Sequence, residues 1–442
     1  MGRYGLLLFL FVLIGLGGTL GGRAAAILVA YKAKQVCSGV FVAGREVAVV
    51  AAELEVDDLE LLRYIDTTVD TQAKVVDAST LGLITRRAAY RGSTGCALVF
   101  NDTPARSPAT RGTSAPATAA LSAEADERLA PVLARAFAEP DANHLRRTRA
   151  VVVVHHGQIV GERYAGGVDS GTPLLGWSMT KSVTNALAGI LVKEGRLSLD
   201  RPVPVPEWRP GDPRRAITLD QLLRMSSGLR FDEDAAGPFS DVIDMLLREP
   251  DMAAFAIDRP LDAAPGTTWR YSSGTSVILS RVMRQVMSDD GEYGSFPRRA
   301  LFDRLGMSSA VLETDASGTF VGSSLMWATA RDWARFGMLY LQDGVWAGMR
   351  ILPEGWVHYS QTPAPADPQA RYGAHFWLEV PEGYRVSDAT LPGDAFHAAG
   401  HQGQFVTIVP SRQAVIVRLG ATRHPDAWDQ AAFVHDVLAA LD

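Results

Sequence analysis

The chain has 442 residues, 47% hydrophobic and 21% charged, a globular balance long enough for one large catalytic domain and a smaller unit. Its net charge is −6 and no run of Lys and Arg occurs, which argues against a nucleic-acid partner, since that partner needs a basic footprint. Basic residues are nearly all Arg. Lysine stands only at Lys32, Lys34, Lys74, Lys181 and Lys193, and of the two cations only lysine can give up its proton inside a protein.

The first residues, MGRYGLLLFLFVLIGLGGTLGGRAAA, set Arg3 ahead of an apolar stretch from Leu6 to Leu16, with Gly- and Ala-rich residues after it. That layout predicts a signal peptide or membrane anchor over residues 1–30, and so an exported protein, periplasmic or held at the inner membrane. A buried helix is the competing reading, because the apolar run falls slightly short of the ~20 residues a full span requires. Only two cysteines follow, Cys37 and Cys96. In an oxidising compartment they can pair; two separate buried thiols are the alternative, and export favours the disulfide.

Residues 31–120 form an N-terminal extension with short apolar stretches, VFVAGREVAVVAA and CALVF, ending in the Pro-, Ala-, Ser- and Thr-rich linker NDTPARSPATRGTSAPATAA. The apolar stretches need cover and are expected to pack on the rest of the chain. Residues 121–442 carry the regular signals. RAVVVVHHGQIVGERYAGG predicts a hairpin turning at His156-Gly157, and GQFVTIVPSRQAVIVRLG a second, turning at residues 410–413. A last amphipathic helix sets Trp428, Val434, Val437, Leu438 and Leu441 on its apolar side. Helical patterns lie between, including Ser178 to Glu194 and Leu219 to Met225. Strands at both ends with helices between predict an α+β fold, one antiparallel sheet flanked by a helical region.

The chemistry centres on GWSMTKSVTNALAGILVKEG. Val183, Leu187, Ile190 and Leu191 recur at the spacing of one buried helix face, and Gly195 ends it. Residues three apart share a helix side, so Ser178 and Lys181 face each other in the first turn. The positive end of the helix favours a developing alkoxide or oxyanion there. A hydroxyl is a weak nucleophile until a neighbour takes its proton, and a desolvated lysine can do so. Taken alone, the four residues also fit an ordinary solvated helix lysine.

Two further segments narrow the reading. APGTTWRYSSGTSVILSRVM places Tyr271 and Ser273 ahead of an apolar helix pattern, and HAAGHQGQFVTIVPS places His401 and Gly403 at the entry to a strand. The order Ser178-x-x-Lys181, Tyr271-x-Ser273, His401-x-Gly403 resembles the three motifs of the β-lactamase and penicillin-binding protein superfamily, above all class C relatives such as the 6-aminohexanoate-dimer hydrolase group. ITLDQLLRMSSGL, PGTTWRYSSG and ATARDWARFGMLYL match in style, and the likeness runs from about Arg149 to Leu441. It implies a β-lactamase/transpeptidase-like fold and a serine hydrolase that cleaves an amide or ester of a small molecule through an acyl-enzyme, with no cofactor or metal. Ser178 would be the nucleophile, Lys181 its base, and Tyr271, its pKa lowered by a nearby cation, a proton shuttle. His401 would line the edge strand, Gly403 would admit substrate, and the main-chain N–H groups of Ser178 and Gln404 would form the oxyanion hole. Class C β-lactamases carry Asn where Ser273 stands and Lys where His401 stands, which weakens the case for β-lactam hydrolysis and leaves general amide or ester hydrolysis untouched. A D-alanyl-D-alanine peptidase and a silent binding protein of this fold are the alternatives. No Gly-x-Ser-x-Gly elbow and no His-Glu-x-x-His occurs.

Overall fold

The computed structural model describes residues 20–55, 57–100, 126–234 and 239–442. Helix α1, Leu20–Phe41, lies across an antiparallel sheet ordered β1 (Asp66–Asp70), β2 (Val75–Thr80), β3 (Ile84–Tyr90) and β4 (Cys96–Val99). Val29, Ala30, Ala33 and Val36 of the helix meet Val76, Ala78, Ala88 and Leu98 of the sheet in one buried cluster. A disulfide joins Cys37 of α1 to Cys96 of β4.

Helical residues two apart point about 200° away from each other, so Lys32 and Lys34 leave α1 on opposite sides. The Lys32 amine stays within the unit, donating to Glu55 at 2.7 Å and to the carbonyls of Leu62 and Ile65 at 2.7 and 2.6 Å. Lys34 reaches the rest of the chain, donating to Glu313 at 2.6 Å and to Ser38 Oγ at 2.9 Å. Arg91 donates to the Thr314 carbonyl at 2.9 Å, and Arg149 pairs with Glu53 at 2.7 Å. The N-terminal extension therefore packs on the larger body through buried polar contacts as well as apolar ones. The expected break between residues 30 and 31 falls inside α1. The leader residues 1–19, the linker 101–120 and the break at 120/121 lie outside the described residues. Among the described residues no helix is long and apolar enough to cross a membrane.

In the larger body, β5 (Thr148–His155) and β6 (Gln158–Tyr164) form the expected hairpin, with His156 and Gly157 at φ +48° and +80° in its two-residue turn. Helices α2 (Thr180–Lys193), α3 (Ser273–Gln285) and α4 (Ala330–Leu341) follow, then β7 (Phe396–Gly400), β8 (Gln404–Val409), β9 (Ala414–Gly420) and α5 (Gln430–Leu441). The antiparallel sheet runs β7-β8-β9-β5-β6, so the end of the chain returns to pair with its beginning. Alternation sends Val152, Val154, Val406, Val415 and Val417 to the face under α4, and Val151, Val153, Phe405 and Ile416 to the face under α5. Gly337 lets α4 lie close, since a Cβ there would come within 2.5 Å of Val415. One expectation shifts. Trp428 is buried but precedes α5, where Asp429 caps the helix by accepting from Ala432 N.

Candidate active site

Ser178 sits in a single 3₁₀ turn, Trp177–Met179, that feeds into α2. The approach is tight. Trp177 has φ +46°, a left-handed conformation costly for a bulky residue, and it immediately precedes the serine. A Cβ on Gly176 would come within 2.4 Å of the Trp333 ring, so only glycine fits beside α4. Val183, Leu187, Ile190 and Leu191 are buried and hold α2 in the core, as their spacing predicted.

Lys181 lies one turn on and is 1% exposed. Its Nζ stands 3.1 Å from Ser178 Oγ, 3.0 Å from Ser273 Oγ and 3.1 Å from the Ser323 carbonyl. Burial holds its pKa down to about 8, although the Glu233 carboxylate pulls it up. On the far side of the helix turn, His375 Nδ1 is 2.9 Å from the Lys181 carbonyl, and burial keeps this imidazole neutral with a pKa near 3.

Tyr271 completes the group. Its hydroxyl lies near the Ser178 side chain, and its ring centroid lies 4.7 Å from Lys181 Nζ. The expectation of a lowered pKa is corrected here. Burial pushes the phenol up, the nearby Glu233 carboxylate adds to this, and the Ser178 contact only partly opposes it. Tyr271 is thus a neutral hydroxyl that can donate, with Lys181 against its ring face. Trp377 lies tilted over Tyr271 at 5.5 Å and Tyr372 meets it edge-on at 5.8 Å, while Trp269 stands 5.6 Å from Tyr372, so Trp269 belongs to an aromatic wall.

Ser273 opens α3, where its main-chain N–H donates to Glu233 at 2.7 Å and its hydroxyl donates to the same carboxylate. Glu233 comes from the irregular segment RFDE, residues 230–233. Burial raises its pKa, and Lys181 and Ser273 draw it back down.

The other wall is the β7–β8 edge. Gly400 presses against the serine: a Cβ there would come within 2.3 Å of the Gly176 carbonyl and 3.1 Å of Ser178 N. Gln404 begins β8 opposite Gly400, which puts its main chain on the strand pair bordering Ser178. Its side chain is occupied at the sheet end, donating to the Gly420 carbonyl at 2.7 Å and accepting from Gly420 N at 3.0 Å. His401 is exposed in the connecting turn, edge-on to Trp177 at 5.5 Å. Gly403 does not meet its expected role. At φ +75° it turns the chain over Arg418, whose Nη1 would lie 2.2 Å from an added Cβ, and its N–H donates to Tyr384. The glycine at the serine is Gly400.

The beta-lactamase family model matches residues 133–440. The chain belongs to the beta-lactamase family. It is a hydrolase of that superfamily. It is similar to the 6-aminohexanoate-dimer hydrolase of Paenarthrobacter ureafaciens, 27% identical over 314 residues that cover 67% of this chain and 79% of that protein. An uncharacterized protein of Mycobacterium tuberculosis is 31% identical over 267 residues, 49% of this chain and 66% of the relative. Among solved structures, a penicillin-binding protein homolog from Caulobacter crescentus superimposes with TM-score 0.55 at 18% identity, covering 72% of this chain and 98% of that one. The octameric penicillin-binding protein homologue from Pyrococcus abyssi gives 0.54 at 18% identity, covering 71% and 76%. These likenesses establish the β-lactamase/transpeptidase fold.

The site gathers Ser178, Ser273 and the Tyr271 ring around Lys181 and sets His401 and Gln404 on the bordering edge. Among the described residues no group of three or more His, Cys, Asp or Glu is disposed to hold a metal ion. Glu233, His375, Tyr372 and Trp377 escaped the sequence reading, because each arrives on a loop or turn without periodicity.

Proposed function

We propose that this protein is a serine hydrolase that cleaves an amide or ester bond of a small substrate through an acyl-enzyme on Ser178. The observation that carries the reading is the 3.1 Å contact between Lys181 Nζ and Ser178 Oγ, made by an amine whose pKa burial has brought down to about 8. An amine so placed takes the serine proton as Oγ bonds the substrate carbonyl carbon. The carbonyl oxygen, now negative, faces the main-chain N–H of Ser178 beside the edge strand at Gly400, while the Gln404 N–H is taken up in the β7–β8 pair. As the scissile bond breaks, the proton on Lys181 passes by way of the Tyr271 hydroxyl to the departing amine or alkoxide. Water then attacks the acyl ester and gives a proton to the Lys181–Tyr271 pair, which passes it to Ser178 Oγ as the acyl–oxygen bond breaks, freeing the serine and the acid product. The aromatic wall of Trp269, Tyr271, Tyr372 and Trp377 suits an apolar acyl or leaving group.

The same proposal places the enzyme outside the cytoplasm, in the periplasm or at the membrane surface by way of its N-terminal segment. The apolar run behind Arg3 and the Cys37–Cys96 disulfide support this. The test is a burst of p-nitrophenol from a short-chain p-nitrophenyl ester, with the acyl group located by mass on the Ser178 peptide. S178A is expected to abolish both, and a variant that still acylates would sink the reading.

A further inference from the structure

We propose that Glu233 is a positioning residue: by holding the hydroxyl proton of Ser273 it aims the lone pair of the Lys181 amine at Ser178. The proposal deepens the reading above and rests on it. It follows from counting donors and acceptors around one nitrogen. The Ser323 carbonyl, 3.1 Å from Nζ, can only accept. Ser273 Oγ, 3.0 Å away, has one proton of its own, and the Glu233 carboxylate takes it while also accepting the Ser273 main-chain N–H at 2.7 Å. Towards Lys181, therefore, Ser273 can only accept as well. A neutral primary amine has two N–H donors and one lone pair. Both donors are committed, and the remaining direction is Ser178 Oγ at 3.1 Å. The base is left with its accepting side towards the hydroxyl it must deprotonate.

Without an acceptor at position 233 the Ser273 hydroxyl is free to turn its proton into the Lys181 lone pair, where it competes with Ser178. The glutamate also acts through its charge. Lys181 faces Glu233, the Tyr271 ring and the neutral His375, and Glu233 in turn faces Lys181, Asp232 and Tyr372. The carboxylate is the group in this set that raises the Lys181 pKa.

Glu233→Gln separates this role from simple packing. The glutamine keeps the shape, but one of its two contacts to Ser273 becomes a donor, which reverses the direction of the hydrogen bond. Stopped-flow acylation by p-nitrophenyl butyrate is measured across pH for the wild type, S178A, E233Q, S273A and the E233Q/S273A double variant, with folding checked by near-UV circular dichroism. E233Q is expected to acylate on the order of 10- to 100-fold more slowly, short of the about 10²- to 10⁴-fold that a general base contributes in full. Its substrate affinity before acylation should hold within about threefold. The acid limb of its pH profile moves to lower pH, because the charge that raised Lys181 is gone; mere loosening of the site would rehydrate the amine and move it upward. In the S273A background E233Q should add little, since the glutamate acts through that hydroxyl. If E233Q does not fold, E233A replaces it with the same expectations. A folded variant at position 233 with wild-type acylation and an unmoved acid limb overturns the proposal, as do losses that add fully in the double variant. S178A that still shows the burst instead overturns the reading of Ser178, so the two failures are distinguishable.

Discussion

The contact between the N-terminal unit and the catalytic body can be tested at one ion pair. Glu313 is 0% exposed and accepts four hydrogen bonds: from Lys34 at 2.6 Å, Ser38 Oγ at 2.8 Å, Cys96 N at 2.7 Å and Trp327 Nε1 at 3.0 Å. Three of these donors belong to the N-terminal unit and one to the body. Lys34→Met keeps the volume and removes the cation hydrogen-bonded to the carboxylate, leaving Arg91 as a nearby charge. Burial works against the Lys34 cation, and Glu313 offsets that only in part. Leaving one member of a buried pair unpartnered costs about 3–5 kcal/mol. Urea unfolding followed by tryptophan fluorescence should show that loss for K34M, and K34M/E313L, which removes both charges, should recover most of it. A single variant within about 0.5 kcal/mol of wild type would refute the argument. So would a double variant as unstable as the sum of its parts, because the coupling would then be absent.

Other expectations follow from the site. Since Lys181 must be neutral to accept a proton, kcat/KM should rise as pH passes through about 8, by about tenfold from pH 7 to pH 9 for a single titrating base; a flat profile would contradict it. Lys181→Arg keeps the charge but cannot shed it, and should cost about 10²- to 10⁴-fold in acylation rate with the fold intact by circular dichroism. Gly400→Ala puts a methyl against the Gly176 carbonyl and Ser178 N, so kcat should fall at least about tenfold, as a displacement near 1 Å in an acyl-transfer site does. The Cys37–Cys96 bridge closes a loop with a sequence separation of 59. Chain entropy for such a loop gives about 4 kcal/mol, so C37S/C96S should unfold at markedly lower urea than the oxidised wild type.

The elements with a period were legible in the sequence. The valines of β5 and β9 and the apolar face of α2 announced themselves by spacing, and that face fixes Ser178 and Lys181 on one side of a helix turn. What stayed hidden depends on distant segments meeting. Glu233 lies 40 residues before Ser273, in a loop whose course no propensity sets, yet it determines which way that hydroxyl points. Composition alone could not separate Gly400 from Gly403, since both precede β8 and only the packing against Gly176 and Arg418 tells them apart. The direction of the Tyr271 pKa was misread for a related reason. A neighbouring cation was expected to dominate, but burial and a carboxylate supplied by the unforeseen loop outweigh it.

Because β9 pairs with β5, the catalytic sheet joins segments synthesised more than two hundred residues apart. A chain emerging from the ribosome carries Ser178 and Lys181 long before Gly400 exists to border them. Until β9 arrives, the apolar edge of β5 stays open as a template for unwanted strand pairing. Truncation near the C-terminus should therefore yield insoluble material, not a weakened enzyme, and nascent chains would depend on helpers that shield that edge.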